Sequence, residues 1–474
     1  MTTPLWTLSA SDLAPRIASG DVSAREAVGA SVERLAEVNG PLNAVVDELG
    51  DQAMEAAAAL DDRFAADGPV GPLHGVPVTV KVNVDQTGRA TTNGVPAFKG
   101  MIAPANAPVV DNLLKAGAVV IGRTNTPEFS FRTHTDNPLH GQTFNPWNRA
   151  LTPGGSSGGA SSAVMAGIGA LAHGNDIGGS LRFPAAATGA ATVKPGLSRV
   201  PAFNPSQLEE RGMLAQFMSV QGIIARTVAD VRLGTAACIA PDPRDPWHTP
   251  LPLEGPEIEG PIRVAFTKTA VGGPLHPAIS DALDTAASAL ADAGYQVEDA
   301  EPPMIEEIGD AAYRTLMGEV KALMGPGVEA FASEELQSIF EAYFTLFPPY
   351  EGDELLKMMA KRSYYARAWS EFLDTYPLVL TPFLPDPTCA AGRDAEGLEG
   401  ALEALGRGHW SFSMNYMNLP AGNIAAGMHE GHPLNVQIVA RRWREDLALD
   451  ACEAVERAVG VMADRLFERG VDLG

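Results

Sequence analysis

Residues Gly154 to Pro184 constrain this chain more than any other stretch. They open with Gly154-Gly-Ser156-Ser-Gly-Gly159 and close with Gly174-Asn-Asp-Ile-Gly-Gly-Ser180-Leu-Arg-Phe-Pro184. Between the two lies ASSAVMAGIGALAH, small and apolar, which suits one helix followed by one short strand. Two serines flanked by glycines thus stand 24 positions apart, at 156 and 180, joined by an element that packs tightly. Glycine permits positive φ and close approach of another group to the backbone. An oxyanion pocket needs that freedom, and so does a plain tight turn, so the surroundings must decide.

Upstream, Val78, Val80, Val82 and Val84 alternate with Thr79, Lys81, Asn83 and Asp85. Period two predicts a strand with one apolar and one polar face, Lys81 on the polar one. Pro108–Ala116 reads as a short helix with Gly117 as its cap, and Ala118–Gly122 as a buried strand. Strand, helix, strand at this spacing predicts βαβ units, hence an α/β fold with a large, mostly parallel sheet sandwiched by helices. Ser23-Ala-Arg-Glu26 is a capping box opening a helix. Ile262–Phe266, Leu378–Leu380 and Leu434–Val439 read as further strands, and Asp446–Val459 as a final amphipathic helix. Residues 301–376 form an aromatic-rich helical block holding six of the eight tyrosines. No flexible linker is visible, so residues 1–474 are read as one domain.

A net charge of −24 disfavours nucleic acid or an anionic membrane as partner. No apolar run is long enough to span a bilayer. The opening MTTPLWTLSASDL lacks the pattern of a signal peptide, and Cys238, Cys389 and Cys452 are odd in number and widely spaced. Both features predict a cytoplasmic protein with free thiols. The histidines show no metal-ligand spacing and there is no CxxC, so no metal is expected.

Two short patterns mislead. Gly155–Gly159 fits G-x-S-x-G, but NPWNRALTP before it is not the apolar strand a nucleophile elbow requires. Gly167-Ile-Gly169-Ala-Leu-Ala172 fits a dinucleotide loop, yet runs from helix into strand, the reverse of the required order. His74 and His173 read as hydrogen-bonded structural histidines at strand ends. Acyl transfer needs a nucleophile, a base and donors for developing negative charge. Ser180, behind Asp176-Ile-Gly-Gly, suits the first and its neighbouring amides the third. Lys81 serves as base only if burial keeps it neutral; a solvated lysine on a polar strand face is the plainer alternative. Lys194, in VKPG, is a rival base.

These blocks, HGVPVTVK, GGSSGG and GNDIGGSLRFPA, resemble the amidase signature family. Further matching blocks keep family order: RTNTPEF at 123, NPWN at 145, VKPGLSRV at 193, GIIARTVAD at 222 and LTPFLPDP at 380. The resemblance implies one α/β domain, with a large mixed, mostly parallel sheet sandwiched by helices, and a serine amidohydrolase with a Ser-Ser-Lys triad. Lys81 is then the base, Ser156, on a cis peptide, the relay, and Ser180 the nucleophile. The amides of Ile177, Gly178, Gly179 and Ser180 form the oxyanion hole. No cofactor is implied, and a homodimer is favoured. One departure is Val82, where the family often has Asp after the lysine.

The substrate expected is a small apolar amide, with aryl esters or carbamates as side activities. Apolar residues in the loop 201–220, namely Phe203, Met213, Phe217 and Met218, are expected to form a lid over the pocket. Two other readings compete. One is the A-type subunit of a glutamyl-tRNA amidotransferase, feeding ammonia to a partner; the other is a degenerate binding protein on the same scaffold.

Overall fold

The computed structural model describes residues 3–474; the first two residues of MTTPLWTLSASDL lie outside it. Eleven strands form one sheet. In chain order they are β1 (Val45–Glu48), β2 (Pro77–Lys81), β3 (Val119–Thr124), β4 (Leu171–Asp176), β5 (Ala191–Lys194) and β6 (Val220–Ala225). They continue with β7 (Arg263–Phe266), β8 (Gln296–Asp299), β9 (Leu378–Pro382), β10 (Ala421–His429) and β11 (His432–Ala440). Across the sheet the order is β1-β3-β2-β4-β6-β5-β10-β11-β9-β7-β8.

The sheet is mixed, as expected, but not mostly parallel. Only β3-β2, β2-β4, β9-β7 and β7-β8 run parallel. The five pairings from β4 through β6, β5, β10 and β11 to β9, together with β1-β3, are antiparallel. A hairpin in the middle of the sheet, β10-β11, supplies three of them. Its turn, Glu430-Gly431, has positive φ at both residues (48° and 82°), the requirement of a two-residue turn matched to strand twist. β10 carries the small residues AGNIAAGMH, a composition with little strand propensity.

Helices cover both faces, and side-chain alternation along the strands shows it. Val264, Leu378, Leu380, Val436 and Ile438 join one core, whereas their neighbours Ala265, Val379 and Val439 join another. The first core lies under helices such as Pro277–Asp292 and Glu445–Val459. The second lies under the helical block, which comprises Ile305–Leu323, Gly325–Phe331, Glu334–Leu346 and Gly352–Thr375. Tyr313, Tyr343, Tyr365 and Trp369 there are fully buried, so much of the block's aromatic content is core. The capping box at Ser23 and Glu26 is formed and opens the helix Ala24–Leu42.

β2 ends at Lys81, and Val82–Val84 turn away. The predicted polar face is not solvated: Thr79 and Lys81 are both fully buried. β2 is flanked by parallel neighbours on both edges, a setting where both faces are covered.

Candidate active site

Three segments meet at the end of β2: the Lys81 terminus, the turn Gly154–Ser157 before the helix Gly158–Met165, and the loop 177–181 after β4. The Gly155–Ser156 peptide is cis. Gly155 and Gly159 lie so close to other backbone segments that any Cβ would fall 2.3 Å from Arg132 O or 2.5 Å from the Asn125 amide. The glycines of this turn therefore serve packing as well as conformation.

Lys81 Nζ stands 2.7 Å from Ser156 Oγ, 3.1 Å from Ser157 Oγ and 2.8 Å from Asn175 Oδ1. Burial pushes its pKa well below that of a free lysine, and the Asp176 carboxylate pulls it only part of the way back. Ser180 is half-buried, and its carbonyl accepts from the Ser157 amide at 3.2 Å, which joins the two serine segments. No side-chain hydrogen bond links Ser156 to Ser180. Hydrogen bonds of this kind are often long before substrate arrives.

Asp176, at the end of β4, organises the loop that follows. Its carboxylate accepts from the amides of Gly179 (2.7 Å) and Leu181 (3.1 Å), and from both ends of the Arg182 guanidinium. Asn415 Nδ2 adds a bond at 2.9 Å, and Arg182 Nη1 reaches Gln437 Oε1 at 2.8 Å. Burial alone would raise the Asp176 pKa; Arg182, with help from Lys194 and Asn415, outweighs it and leaves the carboxyl below its ordinary value. The Gly179 amide is thus engaged, which corrects the four-amide expectation. Ile177, Gly178 and Ser180 are the amides of the loop that donate to no group among the described residues. Gly179 has φ 132°, and a Cβ there would lie 2.3 Å from the Phe183 ring, so only glycine fits.

Lys194 sits at the end of β5, donates to the carbonyl of Pro195 at 2.8 Å and touches neither serine. Burial, aided by repulsion from Arg182, pushes its pKa down to about 7. His173 pairs with Gln221 Oε1 at 2.9 Å, and burial pushes its pKa down to about 4. His74 accepts from the Val70 amide at 3.2 Å. Both histidines are structural.

The loop 201–220 is anchored at both ends. Asn204 and Ser206 bind around Asp85, just beyond Lys81, with Ser206 Oγ 2.8 Å from Asp85 Oδ1. The Leu214 and Ala215 amides, opening the short helix Met213–Met218, bind the Glu319 carboxylate at 2.8 and 2.7 Å. Met218 is fully buried in the second core, Phe203 is half-buried and Met213 is exposed. Phe217 packs 5.3 Å from the Trp247 ring and under Arg362. Half-buried Phe129, Phe131 and Ile177 pack on the second core next to the site.

A family model described as Amidase matches residues 26–449. An indoleacetamide hydrolase of Bradyrhizobium diazoefficiens is 47% identical over 466 residues, covering 98% of this chain and 89% of the relative. An acylamidase of Rhodococcus erythropolis is 33% identical over 485 residues, covering 97% and 96%. Among solved structures, a bacterial aryl acylamidase of the amidase signature family superposes with a TM-score of 0.83 at 26% identity, covering 98% and 99%. A 6-aminohexanoate cyclic dimer hydrolase with bound substrate gives 0.82 at 26%, covering 96% and 98%. The chain belongs to the amidase signature family, whose members cleave amide C–N bonds.

Proposed function

We propose that this enzyme hydrolyses the primary amide of an arylacetamide of the indoleacetamide type, through a Ser180 acyl-enzyme. The observation that carries the mechanism is the buried Lys81 Nζ at 2.7 Å from Ser156 Oγ, beside a loop with three free amides. The substrate class draws on the 47% and 45% identity to two indoleacetamide hydrolases, and on the apolar surroundings given by Phe129, Phe131 and Ile177. Glutamyl-tRNA amidotransferase A subunits match at 28–30%, so a hydrolase is the better-supported reading.

Neutral Lys81 takes the Ser156 proton while Ser156 takes that of Ser180, whose Oγ rotates toward it. Ser180 Oγ attacks the amide carbon, and the amides of Ile177, Gly178 and Ser180 stabilise the oxyanion. The proton returns along the same path to the leaving nitrogen, and ammonia departs. Water, deprotonated through the same serine, then releases the arylacetate and restores Ser180. In this reading the enzyme needs no cofactor and works in the cytoplasm, as a homodimer; light scattering checks the last point.

The test is ammonia release from indole-3-acetamide by the purified chain, with acetamide, an anilide and a nitrophenyl ester for comparison. A kcat/KM for indole-3-acetamide no higher than that for acetamide would overturn the substrate class.

A further inference from the structure

The mechanism above uses Lys81 but not the groups that hold it. Its Nζ has three oxygen partners: Ser156, Ser157 and Asn175. A neutral amine has two N–H donors and one lone pair, so for Lys81 to act as base one partner must donate to it. Asn175 Oδ1 can only accept. Its direction is set by Asn175 Nδ2, which donates to Asn83 Oδ1 at 2.9 Å. Asn83 Nδ2 donates in turn to Ser130 Oγ at 2.9 Å, and the Ser130 hydroxyl donates to Asn93 Oδ1 at 2.6 Å. Apart from a longer return bond from Asn83 Nδ2 to Asn175 Oδ1 at 3.3 Å, every link in this chain points away from Lys81, and every link is uncharged.

We propose that Asn175, Asn83 and Ser130 are positioning residues that fix the polarity of Lys81, drawing one N–H toward Asn175 so that its lone pair faces Ser156. The proposal rests on the reading of Lys81 as base. The relay holds Lys81 by hydrogen bonds and brings no negative charge that would stabilise the ammonium. The turn that delivers it is unusual: Asn93, Phe129 and Ser130 all have positive φ (47°, 53° and 56°). For a bulky residue such as Phe129 that conformation is rare. The charged and titratable groups around Lys81 are few. Asp176, on β4, is held by Arg182, and Lys194 lies beyond it. His173 is neutral and bound to Gln221. On β3, Arg123 is directed at the carbonyls of Ala90 and Val84 and at Asp47. The helix Gly158–Met165 carries no charge.

The test is Asn175→Asp, read by the rate at which a fluorophosphonate labels Ser180 as a function of pH. This rate reports nucleophile activation whichever amide is the true substrate. In the variant a carboxylate replaces the amide oxygen 2.8 Å from Nζ. Whether the shared proton rests on lysine or on the new acid, the pair must lose it before the lone pair can serve Ser156. The acid limb should therefore move up by at least about one pH unit, lowering the rate about tenfold or more on that limb, with recovery at alkaline pH. Asn175→Ala should instead slow labelling at all pH values without moving the limb. An unmoved limb in Asn175→Asp, in a variant whose melting temperature matches the parent, would overturn the relay alone. Labelling as fast in Lys81→Ala as in the parent would overturn the base assignment, and the relay with it.

Discussion

Arg182 grips Asp176 through Nε and Nη2, each at 3.0 Å, and neither side chain reaches solvent. This pair shapes the Ser180 loop, because the same carboxylate binds the Gly179 and Leu181 amides. Removing one member leaves an uncompensated buried charge, which costs about 3–5 kcal/mol. Arg182→Leu is therefore expected to lower the unfolding free energy measured by denaturant titration by that margin and to abolish activity. The pH dependence follows from the sign of the Asp176 shift: its folded pKa is depressed, so its contribution is complete above about 3.9, the value in unfolded chains. That contribution is lost as pH falls through the lower folded value. In Arg182→Leu, burial no longer opposed by the guanidinium pushes the Asp176 pKa up, so the sign reverses and stability is regained as pH falls through the raised value, a difference that unfolding curves between pH 3 and 6 measure.

The triad variants should behave as a unit. Ser180→Ala is expected to abolish acyl-enzyme formation, and Ser156→Ala and Lys81→Ala each to lose several orders of magnitude in kcat. The double variant Lys81→Ala/Ser156→Ala should then cost little more than the worse single one. Pre-steady-state bursts and single-turnover rates measure this, and full additivity would contradict a relay. Lys194→Met should keep far more activity than Lys81→Met.

Activity should rise with pH along a limb set by Lys81. Burial depresses the lysine pKa, so the neutral, active form gains population well below the ~10.4 of free lysine. A kcat/KM profile from pH 5 to 10 should fall on the acid side, and undiminished activity at pH 5 would exclude a lysine base.

Gly179→Ala tests the loop without touching the triad. The new methyl meets Phe183 at 2.3 Å and Ser411 Oγ at 2.5 Å, in a backbone conformation that L-residues avoid. A fall in kcat of at least about a hundredfold, the scale of losing one oxyanion donor, is expected from stopped-flow assays.

The anchored loop 201–220 gives a specificity test. Phe217→Ala removes a ring that packs on Trp247, and should lower kcat/KM for indole-3-acetamide more than for acetamide. Equal losses would remove Phe217 from the specificity element. Met218→Ala is now expected to act on stability instead, because Met218 lies in the core. A loss of about 2–5 kcal/mol, measured by denaturant titration, matches a buried methionine cut to alanine.

Features written in local chemistry were legible in the sequence. The capping box at Ser23, the valine alternation into Lys81 and the glycines around Ser156 and Ser180 each depend on residues a few positions apart. Of the central hairpin, β11 was legible as the strand Leu434–Val439, but β10 was not, because AGNIAAGMH has neither the alternation nor the β-branched content that marks a strand. The Asn83–Asn175 pairing joins residues 92 positions apart and rests on left-handed backbone at Phe129 and Ser130, which no local pattern announces. The engaged Gly179 amide did have a signal: an aspartate three residues upstream, a spacing at which side chains bond nearby backbone.

The place of the C-terminal hairpin has a consequence for biosynthesis. β10 pairs with β5, and β11 with β9, so residues 421–440 are inserted between strands made much earlier. A chain leaving the ribosome carries Lys81, Ser156 and Ser180 long before it carries Asn415 and Gln437, which brace the Asp176–Arg182 pair. Until the hairpin emerges, β5 presents an unpaired edge, the kind of surface that chaperones shield. The Ser180 loop therefore gains the last of these braces only once residue 437 has been made.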